Sequence, residues 1–264
     1  MTVWVGTSWK MNKSLAEAER YAEDLLRGLG GMELGAVRPF IIPPATALST
    51  VAEVLGSGSG VLLGAQNAHW EDHGAWTGEV SVPQVADAGA QLVELGHSER
   101  REHFGETDET VRLKVAAALR HGLTPLLCIG EPAAVRDAGG SAGFILDQAA
   151  RALHGLTPGQ LSRVLIAYEP VWAIGAAGRP AAPEELHGPF AALASAYGQQ
   201  VAGLLYGGSV NEENAAALLG IPHVDGLFIG RAAWQADGYL RLLETAARTA
   251  ALRHRAGSAP TTTS

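Results

Sequence analysis

Val164-Leu165-Ile166-Ala167-Tyr168-Glu169-Pro170-Val171-Trp172-Ala173-Ile174-Gly175 is the stretch whose reading decides the fold. Val164 to Ala167 read as a short buried strand, and Pro170, which has no amide hydrogen to donate, ends regular structure directly after Glu169. Gly175 and the following Ala176-Ala177-Gly178 give the next loop a pliable tip. A carboxylate therefore stands at the carboxyl end of an apolar strand, beneath a loop able to close. Loss of water there would strengthen it as a base.

The same unit recurs along the chain. Short apolar runs centre on Trp4-Val5, Phe40-Ile41, Val61-Leu63, Leu92-Leu95, Leu126-Ile129, Leu165-Ala167, Leu204-Leu205 and Leu227-Ile229, and a helix-like segment follows each. Alternation of this kind argues for parallel strands joined by helical crossovers, and eight units predict an α/β fold closed into a (β/α)8 barrel. In the first helix Ser14 and Glu17 form a capping box, and Leu15, Ala18, Ala22, Leu25, Leu26 and Leu29 trace one apolar face. A second helix begins at Thr107, carries Val111, Leu113, Val115 and Leu119, and ends at Gly122, which suits a left-handed cap. The rival open doubly wound sheet lacks its glycine signature, because Gly6-Thr7-Ser8-Trp9-Lys10 stands after the first strand.

A closed barrel of this type takes roughly 250 residues as one unit, so the 264 residues predict a single domain over positions 1–250. Residues 56–60 and 138–143 read as surface turns, and 257–264 as a disordered tail. Hydrophobic residues make up 47% of the chain, enough for a large core, yet no apolar run reaches the roughly 18 residues of a membrane span. Met1-Thr2-Val3-Trp4 enters a strand at once, without a basic region or cleavage site, so the expected compartment is the cytoplasm. A net charge of -8 without clustered Lys and Arg argues against nucleic-acid binding, and any anionic ligand must be held locally. The nine histidines form no His-Glu-x-x-His pattern and the lone Cys128 sits in an apolar run, so no metal is expected and Cys128 reads as a small buried hydrophobe.

Ligands of parallel barrels bind at the carboxyl ends of the strands, so the polar residues just after each apolar run are the ones to collect. Lys10 follows the first strand, His97 the fourth, Glu169 the sixth and Gly207-Gly208-Ser209 the seventh. In a closed barrel they converge across one mouth. Gly207-Gly208 lets backbone approach an oxygen anion, and Ser209-Val210-Asn211-Glu212 has the spacing of a helix start, which favours negative charge.

Trp9-Lys10-Met11-Asn12, Gly64-Ala65-Gln66-Asn67, Gly96-His97-Ser98-Glu99-Arg100-Arg101, Ala167 through Gly175, and Tyr206-Gly207-Gly208-Ser209-Val210 together resemble the triosephosphate isomerase family, in register from Val3 to about Ala246. The resemblance implies a TIM barrel and a cofactor-free sugar-phosphate isomerase of carbohydrate metabolism, including glycolysis and gluconeogenesis. It implies catalytic roles for Glu169 as the base, His97 as a neutral electrophile and Lys10 as the substrate's cation, with Glu99 orienting the lysine. Triosephosphate isomerase is itself the known example of a histidine kept neutral by a helix N-terminus, and the neutral state of His97 is carried over from that example. Gly175, Ser209, Gly207, Gly208 and Gly230 match the phosphate donors. Gly74-Ala75-Trp76-Thr77-Gly78-Glu79 matches a loop inserted beside a neighbouring subunit's site, implying a homodimer in which Thr77 supports the partner's site. Trp70 and Trp76 would anchor that interface, the other reading being that both pack on their own subunit.

Three departures bear on substrate choice. Ser8 stands where the family has asparagine, Arg231 follows Gly230 where a second glycine is expected, and Ala176-Ala177-Gly178-Arg179 lacks the usual threonine and lysine. A smaller side chain at Ser8 would admit one more hydroxymethyl group while its hydroxyl supplies a hydrogen bond. The chain is similar to the bacterial branch of L-erythrulose-1-phosphate isomerases, which implies L-erythrulose 1-phosphate as substrate and D-erythrulose 4-phosphate as product. The alternatives are the orthodox triose phosphate reaction and, more remotely, a non-catalytic sugar-phosphate-binding barrel.

Overall fold

The computed structural model describes residues 2–175 and 178–257, with side chains to residue 253. Ala176, Ala177 and residues 258–264 lie outside the described residues, and with them the expected lid tip except Gly178 and all of the expected tail except Gly257, which ends the last helix, Ala236–Gly257.

Eight strands, β1 (Val3–Ser8), β2 (Val37–Ile42), β3 (Leu62–Ala65), β4 (Leu92–Leu95), β5 (Thr124–Ile129), β6 (Leu165–Tyr168), β7 (Gly203–Tyr206) and β8 (Gly226–Ile229), pair in parallel and in chain order. β8 closes on β1, with Val5 opposite Leu227. Closure sorts side chains by the two-residue period of a strand. Val3, Val5, Ile41, Leu63, Val93, Leu95, Leu127, Ile166, Leu204 and Leu227 face outward and pack with the helices in one core. Phe40, Ile42, Leu92, Leu126, Cys128, Leu165, Ala167, Leu205 and Phe228 face inward and form a second core inside the barrel, where the Phe40 and Phe228 rings stack 6.0 Å apart. Cys128 is thus the buried small residue that its apolar surroundings predict.

The helix Leu15–Leu29 opens as expected, with the Ser14 amide and hydroxyl both donating to Glu17 Oε2 at 2.7 and 2.8 Å. Its stripe is shifted, however: Ala18, Tyr21, Ala22 and Leu25 are buried, while Leu15 is exposed. After β4 come two helices, Ser98–His103 and Asp108–Arg120. Thr107 caps the second, accepting from the Thr110 amide at 3.2 Å, and Gly122 ends it at φ +83°. Leu113 lies off the buried face of Val111, Val115 and Ala118, and Lys114 is buried in its place, where it donates to Glu106 and to Asn67 Oδ1.

Candidate active site

Each strand end turns differently, and the turns aim the side chains. After β1 the chain passes Trp9, which is fully buried, and reaches Lys10 in the left-handed region at φ +53°. A lysine held there is strained, and polar side chains fix it: Asn12 Nδ2 donates to the Trp9 carbonyl at 2.8 Å and Gln66 Nε2 to the Lys10 carbonyl at 2.8 Å. The ammonium then reaches Glu99 Oε1, at 2.5 Å. After β4, Gly96 at φ +78° lets the strand swing into a short helix whose N-cap is His97.

The imidazole of His97 is oriented by that helix. Nδ1 accepts the Glu99 amide hydrogen at 3.1 Å, so the ring's proton belongs on Nε2, which faces Glu169 Oε1 at 3.8 Å. Burial, then the Lys10 charge, pushes the pKa of His97 down to about 4. The ring is therefore neutral at ordinary pH, with burial the largest cause. Glu169 follows β6 with its amide bonded to the Ile129 carbonyl at 2.7 Å. Burial, then the nearby Glu94, raises its pKa to about 8, and among the described residues Oε2 finds no partner. An unpaired carboxylate in a dry site is a strong base.

Glu99 links the group, with Oε1 on Lys10 and Oε2 3.7 Å from His97 Nδ1. Lys10, Gly175, Gly208, Ser209, Gly230 and Arg231 all line one cavity of about 490 Å³. Glu169 fronts a neighbouring cavity of about 510 Å³ with Gly96, Ser98 and Cys128. Arg231 also donates to the Gly175 carbonyl at 3.1 Å, tying the loop after β6 to the loop after β8.

Two sequence expectations change here. Ser209 and Glu212 do not form a helix start: Asn211 Oδ1 accepts the amides of Glu213 and Asn214, both at 3.0 Å, while Glu212 pairs with Arg241 at 2.8 Å. The helix itself is Ala215–Gly220, and the Ser209 hydroxyl is left facing the cavity. Gly207 does not line that cavity; it makes room for Glu169, since a Cβ at 207 would lie 2.6 Å from Glu169 Cγ. Thr77 is exposed on its loop and no described contact joins it to the site; beside it Trp76 is 49% exposed, its ring 4.6 Å from that of His69, whereas Trp70 packs against the core.

Two further carboxylates escaped the sequence reading. Glu131 is fully buried at the root of the lid and accepts from Tyr168, Trp172 and Ser141 at 3.1, 2.9 and 3.0 Å. Glu94, inside β4, accepts from the Ser8 hydroxyl at 2.7 Å, so Ser8 lies beneath the cavity rather than on its wall. Its signal was a charge inside the apolar run Leu92-Val93-Glu94-Leu95.

Residues 3–246 match the sequence profile of a family described as triosephosphate isomerase. A protein of Mycolicibacterium smegmatis named L-erythrulose-1-phosphate isomerase is 67% identical, covering 93% of both chains. A protein of the same name from Mesorhizobium japonicum is 52% identical over 91% of this chain and 95% of its own. The crystal structure of triosephosphate isomerase from Bartonella henselae superposes with a TM-score of 0.82 at 33% identity, covering 93% of this chain and 99% of that one.

Proposed function

Because this chain belongs to the triosephosphate isomerase family, and is thereby a sugar-phosphate isomerase, we propose that it interconverts L-erythrulose 1-phosphate and D-erythrulose 4-phosphate without a cofactor. The full-length relation to two proteins named for the first of these compounds supports the substrate. The observation that carries the chemistry is the 3.8 Å approach of Glu169 to a neutral His97.

Glu169 removes the proton from C3 of the ketose phosphate, and the C–H electron pair moves toward C2, placing negative charge on the carbonyl oxygen of an enediolate. His97 Nε2–H hydrogen-bonds the two enediolate oxygens and relays a proton between them. The Lys10 ammonium balances the charge in a site that excludes water. Glu169 returns its proton to C2, leaving the carbonyl on C3, so no electron enters or leaves the substrate. The phosphate occupies the cavity lined by Gly175, Gly208, Ser209, Gly230 and Arg231, with Lys10 at its edge. Glu99 positions Lys10 and, through its amide, the imidazole. Val171–Ala173 begins two residues after Glu169, so closure of this loop over the phosphate also turns the carboxylate toward the carbon chain.

The orthodox triose phosphate reaction remains as a side activity, since a triose phosphate presents the same phosphate and the same adjacent carbonyl and hydroxyl-bearing carbons. The protein acts as a cytoplasmic homodimer in which the exposed Trp76 and Thr77 reach the partner's site. The test is conversion of L-erythrulose 1-phosphate in deuterated water, followed by NMR. D-Erythrulose 4-phosphate carrying one new deuterium is expected, with a higher kcat/KM than for dihydroxyacetone phosphate. Glu169→Gln should lower kcat by about 10²- to 10⁴-fold. Absence of exchange, or preference for the triose phosphate, would sink this reading.

A further inference from the structure

A carboxyl inside a barrel strand needs a reason. Leu92 and Leu126, inward residues of β4 and β5 one step deeper, are apolar, as are Phe40 and Phe228 below. Glu94 instead places a carboxyl in that interior at 3% exposure. Its partner, Ser8, comes from β1, three strands away around the barrel, so the 2.7 Å bond between them spans the interior. Beyond the ends of the same two strands lies a second pair, Lys10 with Glu99. Ser8–Glu94 is therefore a polar floor deeper in the barrel than Lys10.

Among the described residues Ser8 is the one donor that reaches Glu94, and a carboxyl group has capacity for more. Burying it with a single bond opposes folding, and a group the fold keeps at such a cost is best explained by a ligand that completes it. Burial raises its pKa to about 7, so both protonated and ionised forms are within reach, to donate to or accept from a hydroxyl.

We infer that Glu94, with Ser8, is the subsite for the terminal hydroxymethyl group of the substrate, and the residue that sets the preference for a four-carbon over a three-carbon ketose phosphate. This rests on the function proposed above. With the phosphate in the cavity lined by Ser209 and Gly230, and the reacting carbons between Lys10 and Glu169, the terminal hydroxyl is the polar group farthest from the phosphate and turns down onto the floor. With the Ser8 hydrogen committed to Glu94, the pair offers that hydroxyl the remaining acceptor positions of the carboxylate, and a donor when Glu94 is protonated. Holding that hydroxyl also turns the single hydrogen of C3 toward Glu169. A triose phosphate lacks the group and leaves the floor unpaired, and a site built to bond a hydroxyl discriminates strongly against an analogue without one.

The test is kcat/KM for L-erythrulose 1-phosphate and for dihydroxyacetone phosphate, in wild type, Glu94→Leu, Glu94→Gln and Ser8→Ala. The wild type is read first: a preference for the triose phosphate there overturns the substrate assignment and the subsite with it. Given a wild-type preference for the tetrulose phosphate, Glu94→Leu is expected to lower the ratio of the two values by about 10-fold or more, the worth of a hydrogen bond to a charged group. Glu94→Gln, which keeps the shape and a bond to Ser8, should lose less, and it decides the question if the leucine variant does not fold. A purely structural role would depress both substrates together. A ratio within about twofold of wild type in the folded Glu94 variants overturns the subsite while leaving the substrate assignment intact.

Discussion

Gly207 and Glu169 show how a missing side chain makes room for a buried carboxylate. The Gly207 amide bonds the Tyr168 carbonyl at 2.9 Å, which brings the start of this loop against the carboxylate. A Cβ there would sit 2.6 Å from Glu169 Cγ and 3.0 Å from Oε1, so an alanine must displace the carboxylate. Misplacement by about 1 Å can cost on the order of 100-fold in rate. Gly207→Ala is accordingly expected to lower kcat by about that factor, with the fold destabilised by about 1–3 kcal/mol through overpacking. Steady-state kinetics beside thermal unfolding measure both. An unchanged kcat in the folded variant would show that Glu169 has room the geometry denies it. The same scale explains what the sequence could and could not show of the site. Lys10, His97 and Glu169 were legible because each follows an apolar run, and they meet through Glu99 at one mouth. Glu94 was not, because a polar residue inside a strand reads as the wet half of an alternation until closure makes that side the dry interior.

At the scale of elements, strand positions were legible because a period of two leaves a short apolar run in any buried parallel strand, and all eight centres fall on strands apart from Val61, just before β3. Helix starts were harder, because capping side chains compete. Before the helix Ala215–Gly220 the spacing Ser209 to Glu212 suggested a cap, but Asn211 Oδ1 takes the amides of Glu213 and Asn214 in the turn ahead of the helix, and Arg241 draws Glu212 away. Asn214 Nδ2 adds a bond to the Ser209 carbonyl at 2.8 Å, which fastens the loop after β7 to the same turn. Asn211→Ala is expected to cost about 1–2 kcal/mol in urea unfolding. Ser209→Ala, which removes a hydroxyl with no partner in the helix, should cost well under half of that while raising KM. Equal losses of stability would return the cap to Ser209.

Across the whole molecule, ionisable groups are buried together at one end of the barrel, where His97, Glu94 and Glu169 are each at most 6% exposed. These groups make stability depend on pH in opposite directions. His97 has its folded pKa lowered to about 4, so the unfolded chain binds its proton more readily, and stability falls as pH drops from about 6.5 toward 4. Glu169 has its folded pKa raised to about 8, from 4.5, so its contribution is complete below pH 4.5 and is lost as pH rises toward 8. Glu94 acts in the same direction between 4.5 and about 7. Glu169 therefore weakens the fold in the range where the proposed proton abstraction needs it ionised, a trade of stability for activity that active sites commonly show. Glu169→Gln removes the ionisable group while keeping its shape. Relative to wild type it should gain stability as pH rises from 5 to 8, by a few kcal/mol, because each unit of pKa difference is worth about 1.4 kcal/mol. Thermal unfolding of both proteins at pH 5 and pH 8 reads this directly. A difference in Tm that stays constant, or shrinks toward pH 8, would mean that Glu169 is ionised without strain in the folded protein, and that its strength as a base comes from the bound substrate rather than from burial.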